Sequence, residues 1–149
     1  MEQASRADSH PPDLGVEGIE CRATDHPGRW IGVWRIHNRG DSSAEIAAVW
    51  LPHDRFFSDN QEYGPPLALE SLGLVDLAVP VDCRETPGSV IDNAFVILRV
   101  AYHRREWRVF ARQEVRIDKN GVPQAICLSV TCQPAGNSDP GGPECHCPR

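Results

Sequence analysis

Apolar and polar residues alternate through most of the middle of the chain. The stretch "WIGVWRIHN" places Trp30, Trp34 and Ile36 on one face of an extended segment, and the stretch at 73–83, "GLVDLAVPVDC", has the same period. A period of two residues is typical of β-strands with one buried face. Pro80 has no backbone N–H for a sheet ladder, so the second of these strands is expected at a sheet edge.

The clearest unit is the segment "NAFVILRVAYHRREWRVFARQEVRI". Its two alternating runs, 94–103 and 107–117, flank a short polar turn, and this pattern predicts a β-hairpin with one dry and one wet face. Asn120-Gly121 follows, the dipeptide that most strongly marks a tight hairpin turn. It leads into a further alternating run at 125–132, which predicts another strand.

The segment "AEIAAVWLPH" fits two interpretations. Ser42 and Glu45 have the spacing of a helix capping box, and the apolar residues after them also fit a helix. We favour a strand because the segment is short, ends at Pro52, and lies one turn after a clear strand, where a hairpin is the usual solution.

The next stretch, "WLPHDRFFSDNQEYGPP", mixes aromatic side chains with carboxylates. One interpretation is a binding loop with aromatic contacts and an acidic cluster. We favour a crossing between two sheets, because aromatic residues near strand ends normally serve packing.

These elements predict an all-β fold. Six or seven strands without a convincing amphipathic helix favour an immunoglobulin-like antiparallel β-sandwich, with a small β-barrel as the alternative. We assign residues 1–15 to a flexible N-terminal arm, 16–133 to the β-domain, and 134–149 to a flexible tail rich in Pro, Gly and Cys.

The composition narrows the classes of function. A chain of 149 residues with 40% apolar residues suits a single globular domain. No segment has the roughly 18 apolar residues of a membrane helix, and the first twenty residues lack the pattern of a secretory signal. We therefore expect a cytoplasmic protein with no membrane partner and with mostly reduced cysteines.

The charge is uneven along the chain. The net charge is −6, whereas residues 99–119 hold seven basic and three acidic residues. The candidate partner-binding residues are the six arginines of the predicted hairpin: Arg99, Arg104, Arg105, Arg108, Arg112 and Arg116. Arginine forks bind carboxylates and phosphates, so an acidic partner is expected. A protein is favoured over nucleic acid because the chain is acidic overall and because Phe110 is the only aromatic residue on the arginine-bearing face of the second hairpin strand, which makes a small platform for stacking bases. The alternative is an ordinary solvated strand face.

A second candidate lies at the C-terminus, in "ECHCPR". Cys145, His146 and Cys147 offer soft ligands for zinc or copper, and Cys132 is the residue that would complete the set. Consecutive ligands strain a tetrahedral site, so a thiol-redox role or inert cysteines are alternatives.

Familiar catalytic motifs are missing from the sequence, which lacks a phosphate-binding glycine loop, a nucleophile elbow and the H-E-x-x-H pattern. We therefore expect a non-catalytic module that binds a protein or another acidic partner through loops or the arginine-rich hairpin. The competing hypothesis is metal or thiol chemistry at the tail. A third is an enzyme whose active site forms on loops without a known motif.

Overall fold

The chain forms one antiparallel sheet that curls nearly into a barrel. The computed structural model describes residues 10–135. Eight strands follow one another along this part of the chain: β1 (Leu14–Ala23), β2 (Arg29–Asn38), β3 (Ala44–His53), β4 (Phe56–Leu69), β5 (Leu74–Asp82), β6 (Val90–Tyr102), β7 (Arg105–Ile117) and β8 (Pro123–Pro134). Around the sheet their order is β1-β2-β5-β4-β3-β6-β7-β8.

Two places where neighbouring strands share few or no backbone pairs determine the shape of this sheet. Strands β4 and β5 are joined by the single pair Phe57 and Asp82. Strands β1 and β8 lie side by side where Gly18 approaches Ala125, but the ladder contains no pair between them. The barrel is therefore built from a three-stranded part, β1-β2-β5, and a five-stranded part, β4-β3-β6-β7-β8.

The all-β prediction is confirmed, and the barrel alternative describes the arrangement. The leading version, a sandwich of two separate sheets with six or seven strands, is corrected to one sheet of eight strands, because the Phe57–Asp82 pair joins the two parts. Strand β5 lies inside the strand order, between β2 and β4, and not at the sheet edge that Pro80 predicted. The prediction holds only locally, because at Pro80 the strand pairs with β2 alone.

The inner faces follow the predicted alternation. In β6, Ala94, Val96, Leu98 and Val100 are fully buried, and the residues between them belong to the outer face. Strands β2, β5 and β7 bury their predicted faces in the same way and meet in one core inside the barrel. This burial of alternate side chains is the main favourable term for such a fold.

The two hairpins predicted from turn signals are present. Strand β6 pairs with β7 around His103 and Arg104, which both have positive φ, as a tight primed turn requires. Strand β7 pairs with β8 around Asn120 and Gly121, and Gly121 has a φ of 83°.

Other local predictions are corrected. The segment read as a crossing loop is mostly strand β4, and β1 begins at Leu14, inside the stretch assigned to the N-terminal arm. The segment 44–53 is a strand, as favoured, but it forms no hairpin with β2, because both edges of β2 pair with β1 and β5.

Asn38 fastens one end of the barrel. Its side chain is fully buried and donates to the carbonyl oxygens of Ser42 at 2.9 Å and Leu69 at 3.1 Å. Its Oδ1 accepts the backbone N–H of Gly40 at 2.9 Å. One side chain thus ties the β2–β3 loop to the end of β4, and every polar atom of its amide group has a hydrogen-bond partner.

Candidate binding surface on the β6–β7 hairpin

The six predicted arginines fall into two groups. Arg99, Arg108, Arg112 and Arg116 alternate with buried residues and so lie on the outer face of the hairpin. Arg104 and Arg105 lie at the turn, at the end of the barrel. The structure therefore brings four of the six together on one surface.

Arg99 is neutralised by neighbouring carboxylates. It forms ion pairs at 3.2 Å with Glu62 of β4 and with Glu106 of β7. A hydrogen bond from Asn60 and then the pairing with Arg99 lower the pKa of Glu62. The contact with Glu106 has ion-pair distance but no hydrogen-bond geometry at Arg99 Nε, which is buried.

Arg108 and Arg112 have no acidic side chain within ion-pair distance in the described part of the chain. Arg108 is the direct cross-strand partner of Arg99, and among residues 10–135 its side chain has no hydrogen bond or ion pair. Arg112 donates to the neutral Asn93 Oδ1 at 3.2 Å. Like charges on directly opposite residues of neighbouring strands repel each other. Glu62 and Glu106 beside Arg99 offset part of the repulsion between Arg99 and Arg108.

The other three arginines of the predicted set either contact a neighbouring side chain or lie at the turn, away from Arg108 and Arg112. Arg116 forms a short ion pair with Glu114 at 2.6 Å. Arg105 lies over the ring of Trp107, with its guanidinium carbon 5.4 Å from the ring centroid, a cation–π arrangement. Arg104 is exposed at the turn.

An aromatic row completes this surface. Trp50, Ile97 and Phe110 are consecutive partners across β3, β6 and β7. Phe95 meets Phe110 edge to face, with ring centroids 6.3 Å apart. Ile97 is only 2% exposed although it lies on the outer face, so the neighbouring side chains cover it. We call the combined surface the Arg–aromatic face; its residues are Trp50, Phe95, Ile97, Arg99, Arg108, Phe110 and Arg112.

Sequence reasoning found one ring of this row, Phe110, and missed the others as parts of a surface. Phe95 was visible in the alternation of β6 as a residue opposite the buried set. Trp50 joins the face only because β3 lies next to β6, a pairing of segments that are distant in sequence. Local alternation carries no information about that neighbour.

Four cysteines lie in the described region, in buried or partly buried positions. Cys21, Cys83, Cys127 and Cys132 are free. Burial raises the pKa of each of them, that of Cys21 to about 12, where nearby Cys83 and Glu20 add to the effect of burial. Because the thiolate is the reactive form and the metal ligand, none of these four is activated by its surroundings.

The predicted metal ligands are only partly within the described region. Cys132 lies in β8 with its Sγ 3.5 Å from the carbonyl oxygen of Pro12. Cys145, His146 and Cys147 lie outside residues 10–135. Within those residues, no three His, Cys, Asp or Glu side chains cluster in a way that could hold a metal ion.

Comparison with known proteins does not assign the chain to a family. No protein-family model matches the chain, and no curated protein is significantly similar to it. Across the described strands and loops there is no helix long and apolar enough to cross a membrane.

Proposed function

We propose that the chain is a non-catalytic binding module whose Arg–aromatic face takes an acidic segment of a partner protein. One observation carries this proposal: Arg108 and Arg112 flank Phe110 on the same strand, and neither has an acidic partner among the described residues. Successive outward residues of a strand lie about 7 Å apart. Two cations thus stand on either side of one ring.

The chemistry of this surface suits a protein partner. Guanidinium groups bind carboxylates through two parallel hydrogen bonds. Aromatic residues and arginine are also the types enriched at protein interfaces, where they contribute most of the binding energy. The expected partner segment therefore carries carboxylates next to apolar side chains that reach Trp50 and Phe110.

The ring geometry favours protein over single-stranded nucleic acid. Nucleic-acid platforms present flat ring faces on which successive bases stack. Phe95 and Phe110 meet at 86° and are half-buried, so the row offers little open ring face. The net charge of −6 also opposes a polyanion with charge along its whole length.

The test uses two labelled probes on the full-length protein. One is a fluorescein-labelled decapeptide in which glutamate and leucine alternate, and the other is a labelled oligothymidylate. Fluorescence polarisation should show that the peptide binds. The double variant Arg108→Glu/Arg112→Glu should weaken its affinity by roughly tenfold or more, because two carboxylate contacts become repulsive.

Arg22→Glu is the control, since it makes one Arg-to-Glu substitution of the same kind on an exposed residue of β1, away from the Arg–aromatic face. It should leave peptide affinity unchanged. Equal binding by the wild type and the double variant would overturn the proposal. Binding of oligothymidylate without binding of the peptide would replace the protein partner with nucleic acid.

A further inference from the structure

The facing edges of β1 and β8 carry backbone groups without ladder partners. Strand β1 pairs with β2 over its length, and β8 pairs with β7, but no residue pair joins β1 to β8. Each of these strands therefore turns one edge toward the other. Unpaired strand edges are templates on which an extended chain can add main-chain hydrogen bonds.

A groove of about 380 Å³ opens between these two edges. Residues 14–16 form one wall, and residues 127–130 form the other. At one end Cys132 reaches across to Pro12. At the other end the strands close together, since a Cβ on Gly18 would lie 2.5 Å from the carbonyl oxygen of Ala125. The volume falls in the range of known ligand sites, about 300–1,000 Å³.

Apolar side chains are exposed along this seam. Leu128 lines the groove and is 48% exposed. It lies at the bulge of β8, where Arg112 pairs with Ser129 and the next residue of β7 pairs with Cys127. Ile126 and Ile19 are also exposed, on β8 and on β1. A bulge that turns a leucine outward leaves apolar area available to a ligand.

A cation stands at the wall of the groove. Arg39 lines it, and the guanidinium lies across the backbone of β1 where Gly15 has no side chain; a Cβ there would be 2.7 Å from one of its nitrogens. Within residues 10–135 the Arg39 side chain has no ion pair or hydrogen bond. Asp13 also lines the groove, and its carbonyl oxygen accepts the backbone N–H of Arg39 at 2.8 Å.

We propose that this groove binds an extended segment of a partner protein that adds to the open edge as a further strand. Its apolar residues would pack on Leu128, and one of its carboxylates would pair with Arg39. The protein's own residues 136–149 follow β8 in the sequence, but they contain no Val, Ile, Leu, Met or aromatic residue to cover that leucine. A partner strand with alternating apolar residues and an acid fits the surface better.

Selection of phage-displayed random decapeptides against the full-length protein tests this site. The enriched peptides should alternate apolar and polar residues and carry Asp or Glu. Added to ¹⁵N-labelled protein, a synthetic copy should shift the amide signals of residues 14–16 and 127–130. Its affinity should fall by roughly tenfold or more in Arg39→Glu, and by a smaller factor in Leu128→Lys.

Arg22→Glu is again the control, because Arg22 lies on β1 beyond the groove. The amide spectrum of each variant reports whether the barrel is intact. Enriched peptides that bind Arg39→Glu and the wild type equally would overturn the proposal, as would shifts confined to the Arg–aromatic face or failure to enrich any peptide. Nuclear Overhauser contacts between residues 136–149 and β1 in the free protein would show that the tail fills the groove instead.

Discussion

Trp34 donates its indole N–H to the Oε1 of Gln113 at 2.6 Å inside the barrel. Both side chains are fully buried, and they belong to β2 and β7, which are not neighbours in the sheet. The bond therefore crosses the interior and links the three-stranded part to the five-stranded part. Gln113 also places its Nε2 3.5 Å from the carbonyl oxygen of Ala94.

Gln113→Leu should destabilise the protein by about 1–3 kcal/mol, because it leaves the Trp34 N–H buried without an acceptor. Trp34→Phe should also destabilise it, through a lost donor and a smaller ring. Urea unfolding of the two single variants and the double variant gives the coupling between them. The double variant should be more stable than the sum of the single changes predicts, and strict additivity would show that the bond contributes nothing.

Gly18→Ala should strain the join between β1 and β8. The added Cβ would lie 2.5 Å from a backbone oxygen of Ala125, which cannot rotate away. Overpacking of this kind costs about 1–3 kcal/mol. Gly64 offers the matched control, since a Cβ there meets nothing within 4 Å. Thermal unfolding should show a lower midpoint for Gly18→Ala and an unchanged midpoint for Gly64→Ala. Equal midpoints would mean that β1 and β8 move apart to accept the added Cβ without loss of stability.

Asp118 should make stability depend on pH in acid. Its carboxylate accepts the backbone N–H groups of Val122 and Asn120, and chiefly the bond from Val122 lowers its pKa. A carboxyl with a lowered pKa in the folded state stabilises the protein above its unfolded pKa, about 3.9, and this stabilisation is lost as pH falls through the folded value.

The variant Asp118→Asn keeps an acceptor oxygen but has no charge to lose. Its urea midpoint should therefore fall less than that of the wild type between about pH 5 and pH 3. Parallel curves for the two proteins would exclude Asp118 as a source of the acid sensitivity.

The thiols of the barrel should react slowly in the native state. Their pKa values are raised by burial, so little thiolate is present near pH 8. In a Cys145→Ser/Cys147→Ser protein, Ellman's reagent should label the four remaining cysteines slowly at that pH. Labelling should be rapid and complete after unfolding in guanidinium. Fast labelling of the native protein would contradict the inferred burial.

The sequence predicted strands best where one face is continuously apolar. Strands β6 and β7 have such faces, and their hairpin and its outward arginines appear as expected. Strand β1 was missed because a bulge between Gly18 and Glu20 interrupts its alternation. Strand β4 was missed because two register shifts in its pairing with β3 break the period, and its composition resembles a loop.

The arrangement of strands could not be read from local pattern. Alternation shows which side chains a strand buries, but not which strands become its neighbours. That is why the outward arginines were predicted as a set, while the aromatic row beside them was not. Trp50 reaches this surface through the β3–β6 pairing, and Arg39 reaches the groove only because β1 returns beside β8.

The single rung between Phe57 and Asp82 gives the cylinder a lengthwise slit. Beyond that rung the facing edges of β4 and β5 share no ladder bonds, although a four-residue turn connects the two strands. Local opening of a protein costs the least free energy where the fewest hydrogen bonds must break together. The amides of β4 that face this slit should therefore exchange with solvent well before those of β6, which pairs with a neighbouring strand on both sides.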